Sequence, residues 1–456
     1  MVIFWRITPV VPLLRAAIPD PMQFAQSLVL RQKAHRLIPG GCHTYAKGDD
    51  QYPTLAPGFI RSGSGCMVRD VDGNEFIEYG MGLRAVTLGH AFAPVLAAVE
   101  AEIRLGSNFT RPAPIEPRCA EELIALVDGA DMVKFTKDGS TATTAAIRLA
   151  RAYTGRDLVM LCSDDPFFSY NDWFITTTPM AAGIPKANRR LTLTFRYNHI
   201  EDVERLFAEH PESIACVMLE LARTVEPRDN FLGKLRELCT RHGALLIADE
   251  MITGFRWHLG GAQREYGVTP DLSTFGKGMA NGFSVSALAG RREIMDLGGL
   301  HHDGERVFLL STTHGAETHA LAAALTTMQV YREMNVVEHL YRAGDRLRQG
   351  VREAAAANSV DAHFAVAGRP CNLVYETRDE MLRPSQAYRA LFLQELIRRN
   401  VLAPSFVVSF AHGDEHIDRT IEAVHGALAV YRRALDEGVE RYLVGPPVKP
   451  VFRSYN

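Results

Sequence analysis

The chain contains little cysteine, seven residues among 456, and no two of them form a Cys-X-X-Cys pair. An odd number of scattered cysteines argues against a disulfide framework, and their spacing argues against a structural zinc site. We therefore predict reduced thiols that pack as small apolar groups. The sequence also lacks low-complexity tracts and repeats of roughly 20–50 residues, which excludes solenoid and fibrous folds.

Charge of one sign is not in excess, because 50 lysines and arginines face 53 aspartates and glutamates, a formal net charge of −3. This balance gives no global attraction to nucleic acid or anionic lipid. The apolar run in residues 1–21 is interrupted by Arg6, Pro9, Pro12 and Arg15. It is too short and too interrupted for a membrane span or a signal peptide. We expect an N-terminal extension on a cytoplasmic protein without nucleic-acid or membrane partners.

The middle of the chain alternates short apolar strands with helices. Near-continuous apolar strands in this arrangement indicate an α/β fold with a large, mostly parallel sheet covered on both faces. The predicted strands are residues 132–136, 157–163, 216–221, 244–250 and 285–290, and the predicted helices are residues 92–105, 117–127, 140–155 and 231–243.

The two ends of the chain have a different pattern, which predicts a smaller α+β domain. Before the large sheet come a helix at residues 23–37 and a hairpin at residues 66–80 that turns at Asp72-Gly73-Asn74. Beyond Ser311 we predict helices at residues 318–334 and 385–400 and a strand at residues 372–376. The expected division is residues 1–85 (extension, helix and hairpin, part of the small domain), 86–325 (large domain) and 326–456 (C-terminal small domain).

The predicted strand at residues 132–136 is followed by Lys137-Asp138-Gly139-Ser140-Thr141, where a helix begins. Ligands bind outside the carboxyl ends of such strands. Free amides at the helix start, the helix dipole and the Ser140 hydroxyl would suit a phosphate group. The alternative is that Asp138 or Ser140 only caps the helix, and this segment taken alone favours the cap.

Two further side chains lie near strand ends, Asp249 in the predicted strand at residues 244–250 and Lys277 near the end of another short strand. Asp249 ends an apolar strand, where a buried carboxylate needs a cation, a metal or a ring N–H as partner, unless it simply faces water. Lys277 lies 28 residues later between Gly276 and Gly278, which would let it turn inward, although a lone lysine is usually solvated. A phosphate cup, a carboxylate and an inward lysine together match the phosphate, ring nitrogen and aldehyde of pyridoxal phosphate.

The segment GVTPDLSTFGKGMANGFSVSALAGRREIM resembles the lysine-bearing segment of class III (subgroup II) pyridoxal-phosphate aminotransferases. LIPGG, VDGNEFIEY, LGHAFAPV, DGSTATTAAIRLAR, ALLIADEMITGFR and NVLAPS match in the same order, so the resemblance extends over about residues 37–430. Within the family, glutamate-1-semialdehyde 2,1-aminomutases are the most similar. The resemblance implies the fold type I of pyridoxal-phosphate-dependent transferases, pyridoxal 5'-phosphate in the large domain, and a homodimer with active sites at the subunit interface.

The resemblance also implies roles for individual residues. Lys277 would hold the cofactor as a Schiff base and carry protons during catalysis. Asp249 would meet the pyridine nitrogen, and Met251 would lie against one face of the ring.

The remaining cofactor contacts follow from the same family motifs. Gly139 and Ser140 would hold the phosphate, and Thr312 would reach the phosphate of the partner subunit. Phe167 would stack on the second ring face in place of the family's tyrosine, with Phe168 as the alternative, because phenylalanine can still stack.

The substrate pocket departs from the aminomutase pattern. Lys47 stands where those enzymes have an arginine that pairs with the substrate carboxylate, and a lysine cannot make the two-pronged contact. Leu83 replaces a tryptophan and is followed by Arg84. Several such changes together predict a different substrate, because pocket contacts set specificity. The candidate substrate contacts are His43, Tyr45, Lys47, Arg84, Glu317 and His319.

We therefore predict an aminotransferase that moves an amino group from an amino acid, with glutamate as the commonest donor in such families, to a polar aldehyde or ketone. Intramolecular amino transfer of the aminomutase type is the alternative. A catalytically idle pyridoxal-phosphate scaffold that acts as a binding protein is the alternative of another class. Retention of Lys277, Asp249 and Gly139 argues against the idle scaffold, which has no chemical need for all three.

Overall fold

The structure is a computed structural model that describes residues 22–165, 167–222 and 224–455. The predicted N-terminal extension, residues 1–21, lies outside the described residues. In the part of the chain that the structure describes, no helix is both long enough and apolar enough to cross a membrane.

Helices and strands follow each other along the chain in three groups. The first group is α1 (Ala25–Leu37), β1 (Ile60–Ser64), β2 (Met67–Asp70), β3 (Glu75–Glu78) and α2 (Met81–Arg84). The second group is α3 (Ala93–Ile103), α4 (Ile115–Ile124), β4 (Met132–Thr136), α5 (Gly139–Thr154), β5 (Leu158–Cys162), α6 (Asp172–Ile175), β6 (Thr192–Phe195), α7 (Ile200–Glu209), β7 (Ile214–Leu219), α8 (Phe231–His242), β8 (Leu245–Asp249), α9 (Ala262–Tyr266), β9 (Leu272–Phe275), β10 (Ser286–Gly290) and α10 (Arg292–Met295). The third group is α11 (Thr318–Glu333), α12 (Val336–Ala357), β11 (Phe364–Ala367), β12 (Val374–Thr377), α13 (Gln386–Ile397), β13 (Val401–Leu402) and α14 (Asp414–Glu437).

A seven-stranded sheet in the order β4-β10-β9-β8-β7-β5-β6 forms the centre of the molecule. The run β9-β8-β7-β5-β6 is parallel, and β10 is antiparallel to both of its neighbours. This confirms the predicted α/β class with a mostly parallel sheet. The edge strand β6 was not predicted, because its Thr-Leu-Thr-Phe sequence lacks the apolar run of the inner strands.

Both faces of this sheet are covered, as the apolar strands predict. Successive side chains of a strand point to opposite faces. Along β5, Val159 and Leu161 pack into the apolar cluster that contains the buried side of α5, whereas Met160 and Cys162 pack into the larger cluster on the other face. The inner strand β5 is therefore buried on both sides.

Six of the seven cysteines are buried in these clusters or near them. Burial raises the pKa of the Cys119 and Cys216 thiols to about 12, which keeps them protonated and unreactive. This agrees with the prediction that they pack as small apolar groups.

A second sheet, in the order β1-β2-β3-β13, joins the two ends of the chain. The predicted hairpin is present as antiparallel β2 and β3. The short strand β13 pairs parallel to β3, with the Tyr79 amide donating to the Leu402 carbonyl at 2.9 Å. Residues before the large sheet and residues near the C-terminus therefore share one structural layer.

A tight contact between α12 and a turn fixes part of the site described below. An added Cβ at Gly344 of α12 would lie 1.9 Å from the carbonyl oxygen of Pro370. Pro370 begins a turn that ends at Asn372, and the Asn372 side chain accepts a hydrogen bond from Arg84 Nε at 2.8 Å. Only glycine allows the helix to approach this turn so closely.

We expect Gly344→Ala to lower the free energy of unfolding by about 1–3 kcal/mol, because overpacking against backbone outweighs the better helix propensity of alanine. Urea denaturation followed by circular dichroism measures the change. Gly426→Ala in α14 is the matched control, since its Cβ would meet only the flexible Arg399 side chain, 2.5 Å from Nε. Equal stability of the two variants would show that the helix–turn approach is not a constraint.

Candidate active site

Four strand ends bring the predicted site residues to one edge of the large sheet. Strands β7, β8 and β9 are parallel, and β4 points the same way because both β4 and β9 are antiparallel to β10. Gly139, Glu220, Asp249 and Lys277 follow or end these four strands. The structure therefore brings together the predicted phosphate cup, carboxylate and lysine, at the edge where ligands bind in such sheets.

Lys277 begins a short 3-10 turn directly after β9 and has a φ of +43°, which is uncommon for any residue but glycine. The residue is half-buried. Among the described residues, its Nζ has no hydrogen-bond or ion-pair partner. Burial lowers the pKa of the Lys277 ammonium, although the charges of Asp249 and Glu220 raise it. The side chain is thus an inward amine that loses its proton more easily than a surface lysine.

Asp249 is only 2% exposed, so it is not a strand-end acid that faces water. Its Oδ1 accepts hydrogen bonds from the Met251 amide at 2.9 Å and from Thr274 Oγ1 at 3.2 Å. Burial raises the pKa of this carboxyl to about 6, and the nearby positive charge of Lys277 opposes the rise. The carboxylate is therefore poised to accept a cationic or N–H partner.

The start of α5 combines a cap with free amides. Asp138 Oδ1 accepts from the Thr141 amide at 2.9 Å, so Asp138 is the cap. The amides of Gly139 and Ser140 precede that bond and have no acceptor within the helix. Ser140 Oγ accepts from the Tyr170 amide at 3.1 Å. The cap and the anion cup are therefore compatible readings of the same segment.

Met251 forms the wall between this helix start and the lysine loop. An added Cβ at Gly139 would lie 3.0 Å from Met251 Sδ, and one at Gly276 would lie 2.7 Å from it. The side chain is buried. The two glycines thus let Met251 close the space next to Asp249.

The two phenylalanines predicted as alternatives occupy different environments. Phe168 is 2% exposed and belongs to an apolar cluster. Phe167 is 46% exposed, and its ring touches Phe174 edge-on at a centroid distance of 5.6 Å. Only Phe167 has a ring face accessible to a ligand, which favours it as the stacking candidate.

Of the predicted substrate contacts, the structure brings Arg84 to the site. Its positive charge contributes to the lowered pKa of Lys277, and it lines a cavity of about 230 Å³. His43, Tyr45 and Lys47 are exposed on the loop before β1. From that loop segment only Ala46 lines the cavity.

The remaining predicted residues lie near the start of α11. Glu317 Oε2 pairs with Lys137 Nζ at 2.5 Å, just before the anion cup. His319 Nδ1 shares a hydrogen bond with Ser107 Oγ at 2.7 Å. Thr312 is exposed and lines a separate groove of about 600 Å³. Within the described ranges, no hydrogen bond joins any of these three predicted residues to Lys277 or Asp249.

Comparison with known proteins identifies the family. A model of the family described as "Aminotransferase class-III" matches residues 47–427, most of the chain. The chain belongs to the class III aminotransferase family. This confirms the resemblance inferred from the sequence.

Similar proteins carry two kinds of name. Glutamate-1-semialdehyde 2,1-aminomutases of Haloquadratum walsbyi and Geotalea daltonii are 33% and 34% identical to this chain; each match covers 88% of it, and 99% and 98% of the relative. The FumI protein of Sphingopyxis sp. MTA144, solved in its PLP internal aldimine form, is 27% identical, with a TM-score of 0.83 over 90% of this chain and 97% of its own. An omega-transaminase of Sphaerobacter thermophilus is 26% identical, with a TM-score of 0.81 over 89% and 98%.

Pyridoxal 5'-phosphate is the cofactor of this class III family enzyme, and the fold is that of pyridoxal-phosphate-dependent transferases. The residues at the sheet edge fit it. Lys277 offers an unpaired amine to an aldehyde, and Gly139 and Ser140 offer free amides to a phosphate. Both hydrogen bonds that Asp249 accepts from described residues go to Oδ1, which leaves Oδ2 for a ring N–H.

Two buried charged residues of the ALLIADEMITGFR motif were not predicted to have a role. Glu250 accepts from the Ala262 amide at 2.8 Å, and burial raises its pKa to about 7. Arg256 is 1% exposed and donates from Nη1 to the Cys371 carbonyl at 3.0 Å and from Nη2 to the Arg84 carbonyl at 3.1 Å. The sequence does contain a sign of their role, because charged residues inside an apolar segment need partners within the protein. Both hold backbone in place around the site.

The raised pKa of Asp249 gives the apoprotein a defined pH dependence. The folded-state pKa of about 6 lies above the unfolded value near 3.9, so the ionised carboxylate destabilises the fold as pH rises. We expect Asp249→Asn apoprotein to gain about 2 kcal/mol relative to wild type between about pH 4.5 and pH 7.5. Urea midpoints at several pH values measure it.

Asp202→Asn is the control, because Arg196 holds the pKa of Asp202 at about 2. The Asp202 carboxylate is ionised in both states over that pH range, so its effect on stability should not change. A pH-independent difference for Asp249→Asn as well would contradict the burial argument.

Proposed function

We propose that this class III enzyme is an aminotransferase that moves an amino group from an amino acid donor, expected to be glutamate, to a polar aldehyde or ketone. The observation that carries the proposal is the inward amine of Lys277, which bonds to none of the described residues, next to buried Asp249 at the sheet edge. A structural lysine in such a place would be expected to carry a bonded counter-charge.

The cofactor, when bound, supplies an electron sink for the carbanion that forms at the substrate carbon. Lys277 Nζ, whose pKa burial lowers, acts as the nucleophile and takes the proton from that carbon. Asp249 would accept a hydrogen bond from the ring N–H and so keep the ring nitrogen protonated. The amides of Gly139 and Ser140 bind the phosphate.

Two side chains line the flat faces of the cofactor in this proposal. Met251, held between Gly139 and Gly276, supports one face. Phe167, with its exposed ring, covers the other. The candidate substrate contacts stay Tyr45, Lys47, Arg84, Glu317 and His319, and Arg84 has the strongest support because its charge acts on Lys277.

We also propose a homodimer with shared active sites. Thr312 is exposed and lines a groove with Phe109, which is 52% exposed. A second copy over this groove would cover apolar surface and bring Thr312 to the phosphate of the partner subunit. We also propose that residues 1–85 belong with the C-terminal part, residues 326–456, and not with the large domain, residues 86–325, because β3 pairs with β13. A cytoplasmic location is supported by the scattered, buried cysteines.

Intramolecular amino transfer is the second candidate, because the curated relatives at 33–34% identity are named as aminomutases. The exposed Lys47 at the position of their carboxylate-binding arginine argues against the same substrate.

The two reactions differ in their need for a donor. We expect L-glutamate alone to fade the visible absorption of the bound cofactor and to release one equivalent of keto acid per site, because transamination has separable halves. Stopped-flow absorbance with keto-acid quantification measures both. Turnover of an amino aldehyde without any donor, and no response to a panel of amino acids, would favour the mutase.

Lys277→Ala tests the nucleophile. We expect loss of the borohydride-fixed cofactor adduct on the peptide that contains residue 277, and a fall in kcat of about 10²–10⁴-fold or more, because the general base is lost. Peptide mass spectrometry after reduction gives the first readout. Lys234→Ala on α8 should retain both adduct and turnover, and an adduct that persists in Lys277→Ala would overturn the assignment.

A further inference from the structure

A cavity of about 230 Å³ is lined by two arginines, Arg84 and Arg389. None of its described lining residues is an acid. Across the described chain, neither arginine has a carboxylate oxygen within 4.0 Å. The nearby acids do not form ion pairs with these two arginines. Glu220 acts on Arg84 only as a longer-range charge, and Glu78 Oε2 pairs with His90 Nε2 at 2.9 Å.

Arg84 is held rigidly at this cavity. Its Nε donates to Asn372 Oδ1 at 2.8 Å, and its carbonyl accepts from Arg256. It ends α2, a left-handed turn in which Met81, Leu83 and Arg84 have φ values of +42°, +58° and +73°. Such backbone costs about 1–2 kcal/mol per residue, and strain of this kind persists where the surroundings over-determine it, often at functional sites.

Arg389, the second arginine at the cavity, belongs to α13. Its guanidinium carbon lies 4.9 Å from the centroid of the Tyr375 ring, and the Tyr375 hydroxyl donates to the Ala403 carbonyl at 2.9 Å. Nη2 donates to the Pro404 carbonyl at 2.7 Å. The Nε and Nη1 donors of Arg389, like both Nη groups of Arg84, have no acceptor among the described residues. Planar donors of this kind match the oxygens of carboxylates and phosphates.

Two observations place the cavity close to Lys277. Arg84 lines the cavity and lowers the pKa of Lys277. Thr87, three residues after Arg84, donates from Oγ1 to the carbonyl of Gly278, the next residue after the lysine, at 3.3 Å. The cavity volume corresponds to about seven or eight water molecules at ~30 Å³ each, enough for an anionic group on a short carbon chain. We propose that Arg84 and Arg389 bind an anionic group of the substrate, a carboxylate or a phosphate, away from the carbon that exchanges its amino group. This deepens the proposed function and rests on it for the identity of the reaction.

Binding of small anions to the holoenzyme tests the site directly. We expect calorimetry to show binding of glutarate, inorganic phosphate or both, and the anion that binds more tightly indicates whether the site prefers a carboxylate or a phosphate. Neutral glutaramide should bind at least about tenfold more weakly. Arg389→Gln and Arg84→Gln should each weaken the anion about ten- to hundredfold. Arg383→Gln, which removes an exposed arginine paired with Asp379, is the matched control and should change nothing.

Arg389→Lys guards against a folding defect. It keeps the charge but not the planar donors, so we expect an intermediate affinity at an unchanged melting temperature and unchanged cofactor absorbance. Glutaramide that binds as well as glutarate and phosphate, or anion binding that Arg389→Gln leaves intact, would overturn the site.

A second arm separates this inference from the proposed function. The fading of the cofactor band is followed with 4-aminobutanoate, 2-aminoethyl phosphate and butylamine, in wild type and in Arg389→Gln. If all three amines fade the cofactor band equally, the proposed anion site is wrong, but the proposed aminotransferase activity is supported. If glutarate or phosphate binding depends on Arg389, but neither these amines nor any amino acid fades the band, the anion site is supported. The proposed aminotransferase activity is then wrong.

Discussion

Burial of a carboxylate and an amine at one sheet edge is the constraint on which the rest of the site depends. Asp249 and Lys277 follow neighbouring parallel strands, with Asp249 opposite Thr274 in the register of β8 and β9. Asp249 is buried and Lys277 is half-buried, and burial opposes the charge of each, so each is less ionised than on a surface. The acid can accept a hydrogen bond from an N–H, and the amine can react with a carbonyl. Pyridoxal 5'-phosphate would supply both groups.

Two further buried charges keep that edge in shape. The Glu250 carboxylate accepts hydrogen bonds from backbone amides at the start of α9, which fixes the loop after β8 to the large sheet. Arg256 spans the other way, to the carbonyls of Cys371, Val408 and Arg84. One guanidinium therefore connects the large sheet, the C-terminal part of the chain and the left-handed turn that presents Arg84. An apolar residue there would leave three buried carbonyl groups without this donor, which explains why a charge is retained.

The sequence predicts those features that depend on local pattern. Strand β4 begins and ends at the predicted residues, Asp249 and Lys277 lie where apolar strands end, and the family motifs name their roles. The sequence does not predict contacts between distant segments of the chain. The two-residue strand β13 carries no pattern of its own, the left-handed turn contains leucine and arginine instead of a run of glycines, and the cavity wall formed by Arg389 comes from a helix whose sequence looks like any buried helix. The preference for Phe167 over Phe168 as the stacking candidate likewise depends on how deeply the fold buries each ring.

The charges around Lys277 couple substrate binding to its protonation. Arg84 and Arg256 act with burial to lower the pKa of Lys277 and favour its neutral amine, against the charges of Asp249 and Glu220. An anion held by Arg84 would offset part of that positive charge and raise the pKa of the lysine. Lys277 would then become a better proton acceptor when the substrate's anionic group is in place, and a poorer one when it is absent. A neutral amine of the same size would neither bind the two arginines nor raise the pKa of Lys277. The cavity would therefore favour anionic substrates over neutral ones both in binding and in the proton-transfer step.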